Sequence, residues 1–215
     1  MTGRLSRDFY ARDTLSVARD LLGCRLVHES PEGRVRGRIV EVEAYEGEDD
    51  PACHAAAGLT PRTEPLYGPP GHAYVYLIYG MYHCLNAVTR ARGRPSAVLI
   101  RALEPEVGLE LMRRRRGRAG NGRADRDLTN GPGKVCRSFG LSLEHNRLDL
   151  TGTRLWIEAG PRVERVVWTP RVGIRVGTDR LWRVFDPASQ CVSRTALNRL
   201  GRPSPKPVPL AVRNR

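Results

Sequence analysis

The chain is 215 residues long and carries 36 Lys and Arg, all but two of them Arg, against 23 Asp and Glu, a formal net charge of +13. That length holds one domain with a substantial core and is short for two. The charge points to a polyanionic partner, nucleic acid ahead of an anionic membrane surface. No apolar run approaches the ~20 residues that span a bilayer, and no signal peptide opens the chain. A soluble cytoplasmic protein is therefore expected, nucleoid-associated if bacterial, neither secreted nor membrane-bound. The cysteines at 24, 53, 84, 136 and 191 are odd in number and include no C-x-x-C, which argues against a disulfide framework. Cys53-His54 and His83-Cys84 are adjacent pairs rather than ligands at zinc-finger spacing, so small buried thiols are expected and no structural metal.

In chain order, Asp13 is placed to N-cap a helix over 14–22 and Gly23 to stop it. Residues 24–28 and 34–45 read as strands around a turn at Ser30-Pro31-Glu32-Gly33. In the second strand, alternation puts Val40, Val42 and Ala44 on one face and Glu41, Glu43 and Tyr45 on the other. Residues 46–72, rich in Gly, Pro, Asp and Glu and containing His54, read as one long loop. A strand over 97–103 ends at Glu104-Pro105 and leads into a helix over 106–116. Seven arginines against one aspartate between Arg113 and Arg126 read as a solvated, mobile segment, with a phosphate-contacting loop as the alternative. Asn130 is a plausible N-cap for a short helix whose first turn holds Pro132 and Lys134; free N–H groups there, with Lys134, suit a backbone phosphate. Residues 154–159, 163–168, 171–176 and 181–185 read as strands of a core sheet, and the proline- and arginine-rich stretch from 201 as a disordered tail.

The most informative stretch lies in the middle. Residues 74–78 and 82–87 are β-branched, aromatic and apolar runs around Gly80, the signature of a β-hairpin, and they hold four of the seven tyrosines. Tyr74 and Tyr76 share a face with Ile78, while Tyr79 and Met81 fall at the tip, where a core role is least expected. A large aromatic and a methionine exposed on a basic protein suggest a wedge for a base stack. There is no Walker A, no G-x-G-x-x-G after a strand and no G-x-S-x-G. What remains is the Glu41/Glu43/Tyr45 face. Pattern alone reads it as a solvated strand face; the functional alternative is a general base beside a stacking surface, suited to chemistry on a nucleobase.

Several motifs then fall into register. Val42-Glu43-Ala44-Tyr45-Glu46-Gly47, His54, the run from Tyr74 through Tyr82, Asn86, Leu99-Ile100-Arg101-Ala102-Leu103-Glu104-Pro105, Asn130-Gly131-Pro132-Gly133-Lys134-Val135-Cys136 and Pro170-Arg171-Val172-Gly173-Ile174 closely resemble the alkyladenine (3-methyladenine, methylpurine) DNA glycosylase family. The likeness spans about 5–195 in one order and at matching spacing; residues 182–193 follow the pattern only loosely. It implies one α+β domain over 1–200, with a curved antiparallel β-sheet core, flanking short helices and a protruding β-hairpin.

The resemblance also implies a base-excision enzyme. Glu43 matches the family's general base, Arg101 the arginine that helps hold the attacking water, and Val172 the residue whose backbone carbonyl does the same. Tyr45, His54 and Tyr76 match the side chains around a flipped base, Tyr79 the duplex wedge, and Asn86 the asparagine that excludes guanine. Met81 beside the wedge and Lys134 complete the expected DNA contacts. The implied partner is double-stranded DNA carrying damaged bases, met by a monomer without an obligate protein partner, a metal or an organic cofactor. Two rivals stand beside this reading: a bifunctional glycosylase-lyase working through Lys134, and a DNA- or RNA-binding module without catalysis.

Overall fold

The computed structural model describes residues 3–117 and 124–203. Two short helices, α1 (Arg7–Tyr10) and α2 (Thr14–Leu21), lead into strand β1 (Arg25–Ser30). Asp13 caps α2 as expected, its carboxylate accepting from the Ser16 N–H at 3.0 Å. The long strand β2 (Gly33–Glu46) follows, then the hairpin β3 (Ala73–Ile78) and β4 (Tyr82–Val88), and β5 (Ser96–Val107). Helices α3 (Leu109–Arg115) and α4 (Pro132–Phe139) precede four short strands, β6 (Leu155–Glu158), β7 (Val167–Thr169), β8 (Arg183–Phe185) and β9 (Arg202–Pro203).

The nine strands among the described residues pair antiparallel in one curved sheet, ordered β3-β4-β5-β2-β8-β7-β9, with β1 also on β2 and β6 on β1. Strand β2 is its spine. One edge pairs along nearly its whole length with β5; the other is shared, β1 taking residues 33–38 and β8 residues 41–43. The main core gathers Val35, Ile39, Val42 and Ala44 of β2, Val98, Ile100 and Leu103 of β5, and the inner faces of α2 and α4. This is the α+β arrangement that the sequence led us to expect. The five cysteines are buried and free, and among the described residues no group of three or more potential ligands could hold a metal. No described helix is long and apolar enough to cross a membrane.

The details correct the sequence reading in several places. The β2–β5 register shifts twice around Glu41: Ile39 faces Leu103, Glu41 faces Ala102, and Val42 faces Ile100. One extra residue on each strand, Val40 and then Arg101, is left over. A bulge shifts the side-chain phase by one residue. Val40 therefore leaves the face of Val42 and Ala44 and joins a second cluster with Ala102, Phe185, Cys191 and Val192. Nor is the other face solvated, since Glu41 and Glu43 are both fully buried.

Strand β5 does not stop at Glu104-Pro105 but runs to Val107. Pro105 sits at a register shift, where a ladder donor is dispensable. The flanking carboxylates hold the extension: Glu104 pairs with Arg38 at 2.7 Å, and Glu106 with Arg25 at 3.1 Å and Arg36 at 3.0 Å. Gly108 then turns the chain at φ +80°, where a Cβ would lie 2.5 Å from the Arg34 carbonyl oxygen.

The loop of 46–72 holds two 3-10 turns, His54–Ala57 and Glu64–Tyr67. The cap of α4 is Gly131, not Asn130, whose side chain instead accepts from Lys134 at 2.5 Å. Residues 171–176 form turns rather than a strand, with Gly173 at φ +78°. The expected tail begins too early, because β9 pairs with Val167 and Trp168; the rest of it lies outside the described residues. The described arginines of the basic run are tied into the fold, Arg113 to Asp125 at 2.6 Å and Arg115 to Glu32 at 2.7 Å, while 118–123 lie outside the described residues.

Candidate active site

Three elements deliver a buried carboxylate and its holders to one point. Strand β2 brings Glu43 with no exposed side-chain surface. One of its oxygens accepts from the Val172 backbone N–H at 2.7 Å, the other from the Tyr45 hydroxyl at 2.8 Å and Arg101 Nη1 at 3.2 Å. Each bond has a separate structural origin. Tyr45 stands two residues along the same strand, Arg101 is turned inward by the bulge in β5, and Val172 lies on the turn after β7.

Beneath Glu43 sits a second carboxylate. Glu41 Oε1 accepts from Arg101 Nε at 2.9 Å and Arg183 Nε at 2.6 Å; Oε2 accepts from the Ser193 N–H at 2.7 Å, and the Ser193 hydroxyl lies 2.5 Å from both oxygens. Two carboxylates and two guanidinium groups thus share a buried, electrically balanced cluster. Burial alone would push the Glu41 carboxyl up, but the charges of Arg101 and Arg183 and the Ser193 bonds hold it below the usual carboxylate range. Burial likewise disfavours the Arg101 cation; Glu43 and Glu41 outweigh it, and the guanidinium holds its proton more tightly than a free arginine.

A cleft of ≈ 540 Å³ opens above this cluster, within the range of small-molecule sites. Its walls include Tyr45, His54, Tyr76, Asn86, Arg101 and Val172, six residues expected from the sequence to share a site. The His54 and Tyr76 rings meet edge-on with centroids 4.5 Å apart, and His54 Nδ1 lies 2.9 Å from the Tyr74 hydroxyl. Burial, with Arg62 nearby, lowers the His54 pKa to about 4, so the ring is neutral at pH 7. Burial first and the neighbouring Glu43 second raise the Tyr45 phenol well above its usual value, keeping it a hydrogen-bond donor. Asn86 is buried, its Nδ2 donating to the Tyr74 carbonyl at 3.0 Å.

The hairpin carries the remaining expected residues to the rim. Tyr79 is 79% exposed at a positive φ of 53°, and Met81 is 66% exposed. Lys134 lines the cleft from the first turn of α4, with Pro132 and Gly133 beside it. The sequence reading gave no site role to Ile174, although it stands in the motif at 170–174, nor a place in the cleft to Arg116 of the basic run; both line the cleft wall.

It also missed a buried ion pair. Arg171, fully buried, donates to Asp50 at 2.5 and 2.7 Å and to the Ala44 carbonyl at 3.0 Å. Its guanidinium carbon lies 4.6 Å from the Tyr45 ring centroid and 5.1 Å from that of Trp182. It anchors the residue before Val172 and backs the Tyr45 ring. Arg171 did stand in a recognisable motif, but Asp50, 121 positions earlier in a stretch read as loop, carried no mark of its partner.

Residues 8–190 match the family model for methylpurine-DNA glycosylase. The chain is 51% identical over 196 residues to a protein of Methanocella arvoryzae, covering 89% of this chain and 96% of the relative. It is 47% identical over 199 residues to one of Clostridium acetobutylicum (88% and 97% covered). A third, from Carboxydothermus hydrogenoformans, is 48% identical over 193 residues (88% and 98% covered). All three relatives are provisionally named as 3-methyladenine DNA glycosylases.

Proposed function

This chain belongs to the methylpurine-DNA glycosylase family and is a DNA glycosylase; on that premise we propose that it excises alkylated purines by a single hydrolytic step on an extruded nucleotide. The target bond is inaccessible inside a duplex, so the nucleotide turns out into the cleft while Tyr79, with Met81 beside it, fills the vacated stack. Tyr45, Tyr76 and His54 receive the base. A purine alkylated at N3 or N7 carries positive charge and stacks well on tyrosine faces; a neutral His54 adds no repulsion. Asn86 at the cleft wall would meet the base edge and disfavour the exocyclic amino group of guanine, a cost that 7-methylguanine, which carries the same group, offsets through its charge. Lys134 serves the DNA backbone.

Glu43 accepts a proton from a water as that water's oxygen bonds to the sugar C1′, and the glycosidic bond breaks with its electron pair leaving on the base. A cationic 3-methyladenine or 7-methylguanine thereby departs neutral, which makes it the easier leaving group and lets chemistry add to fit. The observation that carries this reading is the Glu43 carboxylate itself: buried, held by three donors, and next to a cleft with aromatic walls. A module that only binds DNA gains nothing from a carboxylate there. A Schiff-base mechanism needs an amine, and Lys134, the sole lysine among the described residues, has its ammonium on Asn130.

The test uses methylated DNA and duplexes carrying one ethenoadenine or hypoxanthine, scoring released base and alkali-labile abasic sites. Glu43→Gln is expected to lower excision by about 10²–10⁴-fold while DNA binding persists. Tight binding to undamaged DNA with no release from any substrate would overturn the proposal. Borohydride trapping that yields a covalent adduct would replace hydrolysis with the lyase route.

A further inference from the structure

We propose that Glu41 is a positioning residue for excision: it holds Arg101 in a divided geometry that leaves Glu43 able to take a water's proton. This rests on Glu43 being the base. A guanidinium beside a carboxylate favours the two-pronged pairing in which two N–H groups meet both oxygens. Arg101 does not adopt it toward Glu43. Its Nε is engaged by Glu41 at 2.9 Å, and only Nη1 reaches Glu43, at the longer distance of 3.2 Å and on a single oxygen. Glu41 is therefore the competitor that keeps Arg101 from clamping the base.

Glu41 is equipped to hold that place. It has no exposed surface, and two guanidinium groups and both polar groups of Ser193 converge on its carboxylate. Arg183, also fully buried, is fixed in turn by the Thr169 hydroxyl at 2.9 Å and Asn198 Oδ1 at 2.7 Å, and Asn198 donates back to the Ser193 carbonyl at 3.0 Å. The bulge supplies the geometry. With Arg101 left over from the ladder, its side chain turns to the side where β2 presents Glu41 and Glu43. The C-terminal stretch around Ser193 thus reaches Glu43 and Arg101 through Glu41 and contributes no residue to the cleft lining.

Removing the Glu41 charge weakens its hold on Arg101 Nε, and the Glu43 carboxylate then draws the fork. The chemical step should slow although the base, the cleft and the DNA contacts are intact. The experiment measures the single-turnover rate constant with enzyme saturating over lesion DNA, which does not depend on the folded fraction, together with the Kd for the same duplex. Glu41→Gln is expected to slow the step by about 10–100-fold at unchanged Kd, and Glu41→Asp to recover part of the rate. An unchanged rate constant in folded Glu41→Gln overturns the inference. If Glu41→Gln does not fold, Ser193→Ala decides: a several-fold slower step at unchanged Kd supports the proposal, and a wild-type rate overturns it. A Glu43→Gln control separates the two levels. Excision surviving in that variant defeats the assignment of the base; its loss beside a fully active Glu41→Gln defeats only the role of Glu41.

Discussion

The proposed reaction centre and the hairpin tip are built on opposite principles. Both oxygens of Glu43 and of Glu41 have designated partners, supplied by β2, β5, β8, the turn after β7 and the segment near Ser193. At the tip, Tyr79 and Met81 stand in solvent on a two-strand ribbon with a strained backbone at Tyr79. The first region fixes a geometry by interlocking hydrogen bonds and ion pairs; the second offers surface that acquires contacts only against a partner. A substitution in the first should therefore damage folding and chemistry together, and one at the tip should damage function alone.

The sharpest way to break that contrast is the Arg171–Asp50 pair. Asp50→Asn leaves a buried guanidinium without its counter-charge, and loss of one member of such a pair costs about 3–5 kcal/mol. A fall in Tm of at least several degrees, read by calorimetry, is expected together with slower excision, since Val172 and Tyr45 lose their support. A variant as stable as wild type would show that the centre is less interlocked than its hydrogen bonds imply. Tyr79→Ala tests the other pole. Stability should stay within about 0.5 kcal/mol, while excision from duplex DNA falls about tenfold or more, because unstacking costs a few kcal/mol; a lesion placed opposite a mismatch should lose less. A large drop in Tm would mean that the tip is structural after all.

His54 gives the smallest and most conditional effect. Its folded pKa, lowered to about 4, lies below the value near 6.5 expected in the unfolded chain. The unfolded state therefore binds the proton first, and stability falls as pH drops from 6.5 towards 4. With partial solvent screening, this amounts to about 1–2 kcal/mol. Wild type should lose a few degrees more in Tm between pH 7 and pH 4.5 than His54→Gln does, the difference cancelling the carboxylates common to both. Equal losses would place a water at the ring and remove the cause given for its lowered pKa.

The two regions also differed in how legibly the sequence wrote them. The hairpin follows from local rules, with alternating β-branched and aromatic residues on either side of Gly80, and the structure places Tyr79 and Met81 where those rules put them. The centre is non-local. Glu43 and Tyr45 could be assigned to one face, but strict alternation misplaced Val40, because a paired bulge on β2 and β5 depends on two strands some sixty residues apart. The same rule made a strand of 171–176, where β-branched residues alternate but Gly173 turns the chain. Pro105 suggested a strand end, yet a register shift accommodates it. Burial was misjudged for a related reason: a glutamate pair reads as solvated until the arginines that neutralise it, Arg101 and Arg183, are brought alongside by folding.

The cysteines carry a consequence for the conditions under which such a protein is needed. Burial raises the thiols of Cys24, Cys53 and Cys191 to about 11, and those of Cys84 and Cys136 also lie above the ordinary value. Only the thiolate is strongly nucleophilic, and at pH 7 a thiol with that pKa is ionised in roughly one molecule in ten thousand. Methylating electrophiles that modify purines in DNA also seek soft sulfur nucleophiles. In this fold they meet no thiol at the surface among the described residues, so the cysteines are shielded from such reagents, and the exposed sulfur they can reach is the Met81 thioether at the hairpin tip.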